Sequence, residues 1–104
     1  MKLEAPLPIA ADHPAYAGHF PNFPVCPGAV LLDEMLTCLQ AARGLVPADW
    51  RIAAAKFNDS VRPGDEAVLE YEAVNLALIH FTIRVGVRTV VTGTLAKLAR
   101  GAVP

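Results

Sequence analysis

Three residues in the first third of the chain have the types needed for acid–base chemistry on a carbonyl compound. His19 lies in a proline-containing segment, and an imidazole titrates near neutral pH, so it can act as a general base. Gly28 stands at a predicted helix start, where backbone N–H groups without an intrahelical acceptor favour negative charge. Asp33 follows among leucine, valine and methionine, and a carboxylic acid in apolar surroundings suits proton donation. Together they would supply a base, an oxyanion donor and an acid.

Each of these residues also has an ordinary structural interpretation. A histidine in a loop often only makes a surface hydrogen bond. Asp33 also fits a solvent-facing stripe with Thr37 and Gln40, which follow it at helical spacing, and Glu34 is expected to be solvated. The residue types alone leave both interpretations open.

The other histidines and the two cysteines indicate less. His13 suits a turn, and His80 falls on the polar face of a predicted strand. Cys26 and Cys38 have neither a nearby base nor metal-ligand spacing. They are predicted to be small buried side chains, not a nucleophile, a disulfide or a metal site.

A long helix must carry Gly28 and Asp33. Pro27 suits a first helical position, residues 29–43 contain no proline, and Gly44 suits the end. Apolar residues cover most of the circumference, which predicts a largely buried helix of about 16 residues. The proline-rich segment before it fits neither a helix nor a central strand, and its aromatic residues favour an ordered loop.

From Trp50 onward the apolar residues recur with the period of two that is typical of β-strands. Val87 is expected to face the core with Ile79, because the alternation runs unbroken between them. Residues 62–65 have the sequence of a type II turn. The predicted strands cover residues 3–10, 52–61, 66–74, 79–88 and 89–99. This order predicts an α+β fold in which one antiparallel sheet curls around the helix.

Composition limits the classes of function. The chain has 104 residues, of which 54% are hydrophobic, so we expect an oligomer interface, an apolar ligand, or both. A net charge of −1 without a basic run argues against nucleic-acid binding. The first residues lack the apolar core of a signal peptide, and no stretch of 18 apolar residues occurs. We therefore expect a soluble, cytoplasmic protein without a membrane span.

Two blocks of sequence resemble a known enzyme family. The first consists of Gly18-His19-Phe20-Pro21, then Pro24-Val25-Cys26-Pro27-Gly28, then Asp33, fourteen residues after the histidine. The second consists of Lys56-Phe57 and Val61-Arg62-Pro63-Gly64-Asp65. Both are similar to the β-hydroxyacyl-acyl carrier protein dehydratases of the FabA/FabZ type, which have the hot-dog fold. Weaker similarity extends over residues 3–99.

This resemblance implies a single hot-dog domain over residues 1–104, with a curved antiparallel sheet wrapped around one long buried helix. It implies a lyase that removes water from a (3R)-3-hydroxyacyl thioester and leaves a trans-2-enoyl thioester. His19 would take the α-proton, the Gly28 N–H would hold the thioester carbonyl, and Asp33 would protonate the departing β-hydroxyl. The histidine and the acid of one site would come from different subunits of a homodimer.

The resemblance also implies the surroundings of the substrate. The tunnel or its loop would be formed by Phe20, Phe23, Pro24, Val25, Cys26 and Thr37. The substrate would arrive on the phosphopantetheine of acyl carrier protein or as a coenzyme A thioester, so no metal or redox cofactor is expected. The pathway would be fatty-acid biosynthesis or a specialised lipid, polyene or polyketide route, and the assembly a dimer or a higher assembly of dimers. Thr37 and Asn22 stand where the family usually has glutamine and glycine.

Two other functions fit the same fold. A hot-dog thioesterase would use its acid to activate water at the same carbonyl, although His19 argues against it. A non-catalytic acyl-binding subunit would pair with another hot-dog chain in a heterodimer.

Overall fold

The structure, a computed structural model, describes residues 2–9, 12–16 and 26–98. Its main elements are β1 (Leu3–Leu7), α1 (Gly28–Arg43), β2 (Trp50–Phe57), β3 (Ala67–Asn75), β4 (Leu78–Val85) and β5 (Arg88–Lys97). Single 3-10 turns lie at Pro14–Tyr16 and Pro47–Asp49. The strands form one antiparallel sheet in the order β1-β3-β4-β5-β2. The predicted α+β class and the curved sheet with one helix are confirmed, and β1 and β2 are the two edge strands.

Helix α1 ends where the sequence predicted and begins one residue later, since Pro27 is its N-cap and not its first residue. It spans 16 residues between Pro27 and Gly44, and Gly44 has a left-handed backbone with φ of 66°. The Gly44 N–H donates to the carbonyl oxygen of Gln40 at 3.0 Å, which closes the last turn. Proline before the first turn and glycine after the last one therefore fix the length of this helix.

Only one face of α1 is fully buried within the chain. Leu31, Met35 and Leu39 follow one another at a spacing of four and are at most 1% exposed. The sequence predicted a helix buried around most of its circumference. In the single chain the other sides of α1 are half-buried or exposed, because the sheet covers only one side. The stripe of Asp33, Thr37 and Gln40 is exposed, as the alternative interpretation of Asp33 predicted.

The alternation predicted for residues 79–88 is correct within β4 and wrong at its C-terminal end. Ile79, Phe81 and Ile83 point into the core at 3% exposure or less, as the alternation predicts. Strand β4 ends at Val85, however, and Val87 is fully exposed. Gly86 turns the chain with a φ of 60°, so Val87 lies in the turn between β4 and β5 and not on a strand.

The turn at residues 62–65 has the predicted form. Gly64 has a φ of 89°, which fits the second central position of a type II turn. The Asp65 N–H donates to the Arg62 carbonyl at 3.0 Å and closes the turn. Within the described part of the chain, no helix is both long and apolar enough to cross a bilayer.

Gly93 in the middle of β5 is required by close packing. A Cβ atom at this position would lie 2.4 Å from Cζ of Phe81 and 2.5 Å from the backbone oxygen of Ala54. The ring of Phe81, 2% exposed, therefore lies over Gly93, next to the edge strand β2. Glycine at this position lets β2 stay paired with β5 while the ring remains in the core.

We expect Gly93→Ala to lower the free energy of unfolding by about 1–3 kcal/mol, because the new methyl group meets backbone as well as ring. Denaturant unfolding measures the change. Thr92→Ala, one residue away on the opposite face of β5, is the matched control and should change the free energy of unfolding much less. Equal effects of the two substitutions would contradict the packing described for Gly93.

Candidate active site

The start of α1 presents backbone N–H groups. Val30 and Leu31 donate to the carbonyl oxygen of Pro27 at 3.0 and 3.1 Å. The amides of Gly28 and Ala29 have no acceptor within the helix, as in the first turn of any α-helix. The first turn carries no acidic side chain. The partial positive charge of this helix end is therefore available to an oxygen that develops negative charge.

The ring of Phe57, the last residue of β2, packs against Gly28. A Cβ atom at Gly28 would lie 2.7 Å from Cε1 and 2.8 Å from Cζ of that ring. The Phe57 side chain is 48% exposed, so one side of the ring contacts the helix start and the other remains accessible. Phe57 therefore fills the space beside Gly28 where a side chain would lie, a role that the sequence analysis did not assign to it.

Asp33 lies on the same helix as Gly28 but on a different side. Five residues separate them, which places Asp33 about 7.5 Å further along the axis and about 140° around it. The Asp33 side chain is exposed, so the predicted apolar surroundings are wrong for the single chain. Gly28 and Asp33 of one chain therefore lie on different sides of α1.

Thr37 lies one turn after Asp33 and beside a groove. Its Oγ1 donates to the Asp33 carbonyl oxygen at 3.1 Å, which satisfies the hydroxyl within the helix. The groove, about 370 Å³ in volume, is lined by Pro6, Pro8, Glu34, Thr37, Cys38, Ala41 and Ala42. It separates β1 from α1 and is mostly apolar. The assignment of Thr37 to the acyl tunnel stays a prediction.

Several predicted site residues lie outside the described residues. They are His19, Phe20, Phe23, Pro24 and Val25, together with Gly18, Pro21 and Asn22 of the same motif. The described residues on either side, Tyr16 and Cys26, are 8% and 5% exposed and belong to the core. Burial, with Cys26 and Asp65 as nearby negative groups when ionised, raises the pKa of the Tyr16 hydroxyl.

Both cysteines are free thiols and behave as packing residues. Cys26 is buried and Cys38 is half-buried. Burial raises the pKa of both thiols, and Glu34 adds to this effect at Cys26. A raised pKa keeps a thiol protonated and unreactive, which agrees with the structural role predicted for them. In the described parts of the chain, no three His, Cys, Asp or Glu side chains group closely enough to hold a metal ion.

The Gly-His-Phe-Pro motif and the helix start fall inside a match to a known family. The sequence model of the ApeI-like family, described as ApeI dehydratase, matches residues 1–94. The chain belongs to the ApeI-like dehydratase family. The match covers His19, Gly28 and Asp33, as well as all of α1 and most of the sheet.

Curated relatives of this ApeI-like chain include 3-hydroxyacyl-acyl-carrier-protein dehydratases FabZ. The enzyme from Pseudothermotoga lettingae is 31% identical over an alignment of 98 residues, and the match covers 84% of this chain and 69% of that protein. The enzyme from Lawsonia intracellularis is 36% identical over an alignment of 76 residues, and the match covers 64% of this chain and 50% of that protein. The chain thus spans between half and about 70% of the length of these two relatives. The predicted resemblance to the FabA/FabZ type is confirmed.

Solved structures share the fold of this ApeI-like chain. The dehydratase heterocomplex ApeI:P from Xenorhabdus doucetiae matches with a TM-score of 0.72 and 20% identity over 94% of this chain and 88% of that chain. The fluoroacetyl-CoA thioesterase FlK matches with a TM-score of 0.64 and 14% identity over 94% of this chain and 85% of that chain. At these identities the likeness establishes the hot-dog fold and leaves the reaction to the site residues.

We expect the effect of Gly28→Ala on the free energy of unfolding to depend on the residue at position 57. In the native background the added methyl group meets the Phe57 ring, and the free energy of unfolding should fall by about 1–2 kcal/mol. In a Phe57→Ala background the clash is gone, and the same substitution should be neutral or stabilising, because alanine forms helices better than glycine. A double-mutant cycle in denaturant measures the coupling. An equal cost in both backgrounds would show that the ring does not limit the space at Gly28.

Proposed function

We propose that this chain is a (3R)-3-hydroxyacyl-thioester dehydratase that forms trans-2-enoyl thioesters. The observation that carries the proposal is the family match over residues 1–94, which includes His19, Gly28 and Asp33. The helix start supports it, because the Gly28 amide lacks an intrahelical acceptor and lies beside the exposed Phe57 ring. The curated relatives named above are dehydratases of the same substrate class.

The proposed reaction needs a base, an acid and a site for negative charge. The His19 imidazole takes the α-proton, and the electron pair moves toward the thioester carbonyl oxygen. The Gly28 N–H donates a hydrogen bond to that oxygen while it carries negative charge. The electron pair then forms the α–β double bond, and the carbon–oxygen bond to the β-hydroxyl breaks. Asp33 gives this leaving group a proton, so that water departs.

The proposal requires two chains for each site. The family resemblance implies that the carboxyl group meets the substrate held at another chain's Gly28, and the position of Asp33 about 140° around α1 from Gly28 fits this arrangement. In this arrangement the exposed face of Asp33, Thr37 and Gln40 becomes the side of the helix that faces the neighbouring subunit. Covering Asp33 by a second chain would also remove it from water, as a general acid requires.

Strand β2 is the edge at which we propose that the second copy pairs. It is eight residues long, contains no proline, and its side chains from Ala53 to Phe57 are exposed. The other edge strand, β1, is five residues long and contains Pro6, which has no N–H to donate. Because β2 ends at Phe57, pairing there brings the second copy close to the helix start.

The proposed substrate is carried by acyl carrier protein or by coenzyme A, and the proposed chemistry uses neither a metal nor a redox cofactor. The pantetheine thioester supplies the carbonyl group that the Gly28 amide would bind. Acyl-thioester hydrolysis is the alternative reaction for a hot-dog chain, and it differs in its product, since it releases a free thiol.

The first test is turnover. Purified protein should interconvert a short 3-hydroxyacyl thioester and its trans-2-enoyl product, followed by the absorbance of the enoyl thioester. His19→Ala and Asp33→Asn should each lower kcat by about 10²–10⁴-fold, because each removes a proton-transfer group. Glu34→Gln is the matched control for the acid, and its kcat should stay near that of the unsubstituted protein.

Three outcomes would contradict the proposed dehydratase. One is unsubstituted protein that gives no interconversion with either type of carrier. A second is turnover that survives both substitutions at His19 and Asp33. The third is release of free thiol without enoyl product, which would favour a thioesterase.

The second test is complementation between inactive chains. Co-refolded His19→Ala and Asp33→Asn proteins should recover about a quarter of the native activity, because half of the dimers are mixed and each mixed dimer has one intact site. Each variant refolded alone is the control and should stay inactive. A mixture without recovered activity would place both residues in one chain. A monomeric mass in solution would instead favour a heterodimer with another hot-dog chain.

A further inference from the structure

Arg88, the first residue of β5, holds the loop between β2 and β3. Its Nη1 lies 3.1 Å from Oδ2 of Asp59 and donates to the Ser60 carbonyl oxygen at 2.8 Å. Its Nη2 lies 3.2 Å from Oδ2 of Asp65. One guanidinium group thus contacts residues on both sides of Val61.

Val61 connects this loop to the start of α1. Its side chain is fully buried, and its carbonyl oxygen accepts the N–H of Cys26 at 2.8 Å. Cys26 is followed by Pro27, which has a fixed φ, and then by Gly28. The Val61 carbonyl therefore restrains the chain two residues before the Gly28 amide.

The same loop carries the second contact to the helix start. Phe57 immediately precedes the loop, and its ring touches Gly28. The N–H groups of Asn58 and Asp59 donate to the Val90 carbonyl at 2.7 and 3.3 Å, which fixes this end of the loop to β5. Both contacts to the helix start, from Phe57 and from Val61, are thus held by a segment attached to β5.

The ion pairs of Arg88 with Asp59 and Asp65 order the loop between β2 and β3 more than they raise the free energy of unfolding of the whole chain. Hydrogen bonds from the Ser60 N–H and from Arg88 hold the pKa of Asp59 below its ordinary value, and Asp59 and Asp65 raise the pKa of Arg88. The Asp65 carboxylate also accepts the Arg62 N–H at 2.9 Å. The three charged side chains are between 26% and 41% exposed, and ion pairs with this much exposure add little to global stability.

Arg84 offers an internal comparison. It lies on the other side of the β4–β5 turn and also contacts two carboxylates, Glu4 and Glu70, as well as the Gly86 carbonyl. Those carboxylates belong to β1 and β3, away from the loop and from the helix start. Among the described residues these are two similarly charged arginine clusters, and the one around Arg88 holds the residues on both sides of Val61.

We infer that Arg88 is a positioning residue, which sets the Gly28 amide at the helix start by fixing the loop that carries Phe57 and Val61. The inference deepens the proposed dehydratase site and rests on the proposed function for its kinetic consequence. It assigns Arg88 no contact with the substrate. Loss of Arg88 should misplace an oxyanion donor and should leave the fold in place.

The structural part is tested by amide hydrogen exchange at constant pH. In Arg88→Gln the Cys26 N–H should exchange at least about 10-fold faster than in the unsubstituted protein, because its acceptor loop opens more often. Arg84→Gln is the matched control and should leave this amide unchanged. Asp59→Asn, which removes one contact only, should give a smaller increase. Unchanged exchange in Arg88→Gln, or equal increases in both arginine variants, would overturn the inference.

The kinetic part is tested with the thioester assay. Arg88→Gln should lower kcat by about 10-fold or more with KM changed less than about 2-fold, and Arg88→Lys should recover part of the loss. Arg84→Gln should retain native kcat. If unsubstituted protein turns over substrate and Arg88→Gln keeps its kcat, the positioning role is wrong. If unsubstituted protein gives no turnover, the proposed function fails, and the exchange measurement alone decides whether Arg88 holds the helix start.

Discussion

The hydrogen bond between the Cys26 amide and the Val61 carbonyl joins the two parts of this fold that must meet. Helix α1 has a single fully buried face, and its first residue follows a proline that cannot donate a hydrogen bond. The start of the helix is therefore placed by what lies just before it. Because Val61 belongs to a loop attached to β5, the sheet determines the position of the helix amides that the proposed reaction uses.

Two glycines that are distant in the sequence let strand β2 lie close to its neighbours. Gly93 leaves room for the Phe81 ring beside β2, and Gly28 leaves room for the Phe57 ring at the end of β2. In both contacts an aromatic ring occupies the space that a side chain at the glycine position would fill. The edge strand can thus lie close to the core at its middle and close to the helix start at its end, and one strand connects the interior packing to the site.

Local signals in the sequence predicted the elements well, because they act over a few residues. Pro27 and Gly44 bracket α1, and Gly64 supplies the positive φ of its turn. The alternation of apolar and polar residues wrongly predicted that Val87 faces the core. The turn at Gly86 interrupts the strand there, although the apolar period continues through it. The roles of Phe57 and Arg88 were missed because their partners are about 30 residues away along the chain, and no local pattern reports such contacts. The family motif is the ground for the proposed roles of His19 and Asp33, which residue type and spacing alone left open.

Asp33 is exposed in the single chain, and in the proposed two-chain site it would lie where the two chains meet. The apolar residues beside it on α1 are only half-buried in the single chain. If a second copy covers that face, association would bury these apolar side chains and Asp33 together. The apolar excess in the composition and the placement of Asp33 on α1 would then both serve the proposed two-chain site.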